Sequence, residues 1–159
     1  MKPAPEETEL WQRRLAGQAN NRAWMLSESA SRTAEEDQEM LHAAHAAMYF
    51  WKIVGNANNH AHAAQLLAHV YALLGLGQPA KRYFSQSEPA FFGPDVAPWE
   101  LALAHAVAAN VAAANQDANA HAAHYKKAVD LIAALADPED REIVAATLRV
   151  IPSPAPGSN

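Results

Sequence analysis

Between Ala64 and Phe84 the chain reads AQLLAHVYALLGLGQPAKRYF, with small and large residues at helical rather than strand spacing. Ala64, Leu67, Ala68 and Tyr71 share one face, because residues three and four apart are neighbours on a helix. Gly75, Ala80 and Phe84 follow. A face of small residues admits a second helix at close range, and an aromatic ring fills the space beside it. Gly77-Gln78-Pro79 restarts the helix, since proline at an early helical position loses no hydrogen bond. The stretch therefore predicts two helices folded back on one another through a glycine turn.

Similar reasoning extends along the chain. A first helix is expected over 6–27, with Leu10, Trp11, Leu15, Ala19, Ala23 and Leu26 on one stripe. Thr33 and Glu36 form a capping box for a second helix ending near Val54, before Gly55-Asn56. The third helix is expected over 58–74, and the fourth from Gly77-Gln78-Pro79 to about Ser87. FFGPDVAP at 91–98 reads as a connector. A fifth helix follows to about Ala114, a sixth over 118–135, and a seventh from Asp137-Pro138 to Pro152. Setting Asn115 against Gly75 overlays the fifth and sixth helices on the third and fourth, with an offset of 40 residues (115 against 75). Ala104, Val107, Ala108 and Val111 then take the places of Ala64, Leu67, Ala68 and Tyr71, while His124 replaces Phe84.

This placement of small, aromatic and turn residues resembles the tetratricopeptide repeat (TPR). The likeness covers 61–87 and, more weakly, 98–128. RTAEEDQEMLHAAHAAMYFWKIVG and LADPEDREIV add a similarity to bacterial TPR-like proteins of unassigned function. The resemblance implies an all-α fold, with antiparallel hairpins stacked as a short TPR-like α-α superhelix of about seven helices. It also implies a concave groove for a protein or peptide partner, and no enzymatic activity.

Composition narrows the function further. The 159 residues suit one domain over 1–151, with a disordered tail expected at 152–159. The net charge of -5 argues against nucleic acid, which calls for a clustered basic surface. Without cysteine there is no disulfide and no thiolate chemistry. No run reaches the roughly 18 apolar residues of a membrane span, and MKPAPEETELW lacks a signal-peptide core. A cytoplasmic location is the expectation. A homodimer through an open end of the array or the 91–99 connector is a further expectation.

The eight histidines are the remaining signal. If Ala64, Leu67, Ala68 and Tyr71 face the partner helix, then His62, Gln65 and His69 face the groove. The overlay adds His105 to that side, and the second helix contributes His42, His45, Tyr49 and Lys52. These eight are the candidate partner-binding residues. The alternative is a metal- or small-molecule-binding helical domain in which His62, His69 and His105 converge. Glu39 and His42 form a lone ExxH, whereas di-iron bundles carry two with further inward glutamates. No residues group into a nucleophile, an acid–base pair or a phosphate loop, so no catalytic residue, cofactor or metal site is assigned. Tyr49-Phe50-Trp51 must leave at least one ring exposed, and Phe91-Phe92 reads as an exposed apolar patch.

Overall fold

A computed structural model describes residues 4–156. They form seven helices: α1 (Pro5–Ser27), α2 (Ala34–Val54), α3 (Ala57–Leu73), α4 (Gly77–Phe91), α5 (Pro98–Ala114), α6 (Ala118–Ala134) and α7 (Pro138–Arg149). The fold is all-α, with no strand among the described residues. Residues 1–3 and 157–159, the latter part of the expected tail, lie outside them.

The predicted start signals act at the backbone. Thr33 Oγ1 accepts from the Glu36 amide, and the Glu36 carboxylate accepts from the Thr33 amide. Asn56 and Asn59 make the same reciprocal pair at the head of α3, where no charged residue advertises it. Asp117 and Asp137 cap α6 and α7. One boundary moves: α4 runs through exposed Pro89 to Phe91 and does not stop near Ser87. The hydroxyls of Ser85 and Ser87 donate to the Lys81 and Phe84 carbonyls along that last stretch. Phe91 is accordingly a core residue, 2 % exposed against Ala61 and Ala104, and only Phe92 of the pair faces solvent.

α3 ends in a Schellman turn. Leu76 N–H donates to Tyr71 O, Gly75 N–H donates to Ala72 O, and Gly75 has φ 73°. α5 ends the same way, with Asp117 donating to Ala112 O and Gln116 to Ala113 O. Gln116 holds the left-handed position at φ 59°. The counterpart of Gly75 is therefore Gln116, not Asn115. Ala57 and Pro98, which open α3 and α5, are 41 positions apart, as are Gly77 and Ala118. The period is one residue longer than the expected 40. Asn115 instead sits at the last helical carbonyls, its amide donating to Gly77 O and Val111 O. It thereby ties the two turns together. A side chain in the left-handed region costs about 1–2 kcal/mol. Gln116→Gly should therefore raise unfolding free energy by ~0.5–1 kcal/mol in urea melts, after the extra freedom of glycine in the unfolded chain is subtracted. A destabilised variant would show that the Gln116 side chain holds the turn.

The helices touch in a regular order. α1 packs on α2, α3 on α4, and α5 on α6. Each pair meets the next through α2 with α3 and α4 with α5, and α7 closes on α6. The odd-numbered helices also contact each other in series, α1 with α3, α3 with α5 and α5 with α7. Among the described residues the even-numbered helices show no comparable contact with one another. Alanine makes this density attainable: Ala63, Ala68, Ala102, Ala104, Ala106 and Ala109 are fully buried.

Candidate functional site

A cavity of about 280 Å³ opens where the odd-numbered helices meet. Asn20 and Trp24 of α1 line it, with Glu28 just beyond that helix. His62 comes from α3, Trp99 and Leu103 from α5, and Ile143 and Thr147 from α7. No even-numbered helix contributes. His62 is fixed on three sides. Its Nε2 donates to Glu100 Oε1 at 2.8 Å, its ring stacks on Trp99 (centroids 6.0 Å apart, interplanar angle 11°), and the Phe91 ring lies 4.7 Å away. Glu28 is exposed at the mouth, yet partial burial raises its carboxyl above the usual range, against the opposing pull of Arg149.

Gln65 and His69 follow His62 on the same face of α3 but are 1 % and 0 % exposed. His69 stacks on Trp24, ring centroids 5.6 Å apart. Its Nδ1 accepts from the Asn110 amide, which also donates to the His69 carbonyl. Two such acceptors fix the amide orientation and place the imidazole proton on Nε2. That N–H has no partner, and neither do the two amide atoms of Gln65. Burial pushes His69 down to about 3, with Arg32 acting in the same direction, so the ring is neutral at pH 7. A buried polar group without a partner costs about 1–3 kcal/mol. Replacing Gln65 by methionine, apolar and of similar length, is therefore expected to stabilise the fold by ~1–2 kcal/mol. A loss of stability in chemical denaturation would mean that the Gln65 amide is satisfied through buried water.

The other candidates are dispersed. His105 shares a hydrogen bond with His124, Nδ1 to Nδ1 at 2.9 Å, beside Phe92. Burial lowers both rings, His105 to about 4, with His124 and Lys127 adding to the effect on His105. His45 meets the Tyr71 hydroxyl at 2.7 Å, next to a Tyr71–Tyr83 stack, and burial followed by His42 lowers it. His42 and Tyr49 are exposed on α2, Tyr49 to 64 %. Lys52 borders a separate cleft of about 260 Å³ with His60 and Pro89. His62, His69 and His105 thus have different partners and do not converge. Among the described residues no three histidine or acidic side chains are grouped to hold a metal ion.

The period explains the dispersal of His105. At 41 residues, the α5 counterpart of His62 is Leu103, which lines the cavity, while His105 matches Ala64, which faces the neighbouring helix. An overlay short by one residue rotates each assignment by about 100°. Trp24, Ile143 and Thr147 were missed because the eight candidates came from helices two, three and five; Trp99, on helix five, lies one turn before Leu103, on a face that the 40-residue overlay did not select. The alternation of odd and even helices would have pointed instead to the first and seventh.

Comparison with protein-family models, curated proteins and solved structures gives no match to this chain. No helix among the described residues is long and apolar enough to cross a membrane.

Proposed function

We propose that this chain is a TPR-like helical-repeat protein that holds a segment of a protein or peptide partner against the face formed by α1, α3, α5 and α7. The observation that carries this reading is the cavity lined by all four odd-numbered helices and by none of the even-numbered ones. Its walls combine two tryptophans with Leu103 and Ile143, and Asn20, Glu28, His62 and Thr147 supply polar groups to orient a guest. The serial contacts of the odd helices support the same reading, since repeat arrays expose such a continuous face.

The four tryptophans supply the test. Trp24 and Trp99 line the cavity, whereas Trp11 and Trp51 do not. Peptides selected from a random displayed library of twelve-residue segments are titrated into nitrogen-15-labelled protein. The indole N–H signals of Trp24 and Trp99 are expected to shift while those of Trp11 and Trp51 stay. Binders that move only Trp11 or Trp51, or a selection that enriches nothing, would overturn the reading.

A further inference from the structure

Resting on the groove reading above, we propose that the cavity between Trp24 and Trp99 receives a basic side chain, lysine or arginine, of the partner segment.

Three observations lead there. The first is size. At about 280 Å³ the cavity lies just under the roughly 300–1,000 Å³ of sites that enclose a whole small molecule. One long side chain is a better match than a cofactor. The second is the wall. Trp24 and Trp99 line it, each with one face stacked on an imidazole (His69 and His62), and the remaining aromatic surface attracts a cation, while Leu103 and Ile143 suit an aliphatic stem. The third is charge. The lining includes Glu28 and no lysine or arginine. Glu28 makes no side-chain hydrogen bond or ion pair among the described residues, so its carboxylate is open to an incoming cation. The one basic group that pulls on Glu28 is Arg149, and its guanidinium is shared with Glu142, bonded at 2.8 Å. Glu100, beside the cavity, is held by His62, so that pair adds no free positive charge. An anionic guest would be repelled by Glu28, and a purely apolar one would leave its carboxylate with only the shared pull of Arg149. A lysine or arginine satisfies the carboxylate and the aromatic faces together.

The test uses the tightest peptide from the displayed library and the intact protein. The sequence of that peptide is expected to contain a lysine or arginine whose replacement by norleucine weakens binding about fivefold or more, in keeping with a cation–π contact and one carboxylate. Glu28→Gln should weaken the parent peptide at least threefold and leave the norleucine peptide unchanged. Trp99→Leu, which keeps the wall apolar but removes the ring, should act in the same direction. Retained helical circular dichroism shows that each variant is folded, and Glu28→Gln, at an exposed position, answers the question by itself. If norleucine binds as tightly as lysine while the Trp24 and Trp99 indoles still shift, the groove stands and the basic guest is wrong. Peptides that leave both indoles unmoved overturn the two readings together.

Discussion

Phe91→Ala is expected to cost about 3–5 kcal/mol of unfolding free energy, the range for truncating a buried phenylalanine. The ring is 2 % exposed and is enclosed by Ala61 of α3, Ala104 of α5 and Val96 of the connector. Those neighbours are two alanines and a valine, and none is large enough to collapse into the space. The same ring lies 4.7 Å from His62, so its loss also frees the imidazole that Glu100 and Trp99 hold. Urea unfolding of the variant should show a lower midpoint with an unchanged slope. Phe92→Ala, at a position 37 % exposed, is the control and should cost less. If the two variants lose equally little, under ~1 kcal/mol, then α4 does not anchor the wall of the cavity.

Acid should destabilise the fold well before the carboxylates titrate. His69 is fully buried and stays neutral down to about pH 3, whereas its ordinary value of 6.5 applies once the chain unfolds. Between those values the unfolded chain binds one proton more than the native state. Stability therefore falls as pH drops, by about 1.4 kcal/mol per unit from this one group. At pH 5 the loss amounts to ~2 kcal/mol. The lowered rings of His45, His105 and His124 act in the same direction. His69→Gln removes the one histidine whose burial is complete. The dependence of its unfolding free energy on pH, measured from 6.5 to 5, should be shallower than the parent's by close to one proton. Parallel curves would show that His69 takes up its proton in the folded protein.

The architecture was largely legible in the sequence because its signals are local. A capping box at Thr33, a glycine after α3 and prolines at the heads of α4, α5 and α7 each mark a boundary without reference to distant residues. The site was less legible because it depends on phase. Glycine marks the first Schellman turn, but Gln116 does the same task in the second with a residue that gives no such signal. The neighbouring Asn115 resembles a turn residue more closely, and it drew the overlay one position short. That single step turned His105 toward the groove on paper, while in the structure it faces His124. Gln65 and His69 lie on the expected face of α3 together with His62. Burial separates them from it, and His69 is covered by Trp24 and Asn110, residues of other helices.

The order of helix contacts has a consequence for how such a chain can change. Each helix relies on partners no more than two elements away, so among the described residues no helix pair joins the two ends of the chain. Chains of this kind fold quickly and open from their ends inward. Amide exchange should be fastest in α1, α2 and α7 and slowest in α3 and α5, which are gripped on both sides. The same economy makes the helix pair a removable part. A further pair of the α3–α4 type, spliced in with its Schellman turn, would meet the surfaces its neighbours already present. It would extend the face built by the odd-numbered helices without demanding a new core, so a chain of this design can lengthen by duplication before any single contact has been refined.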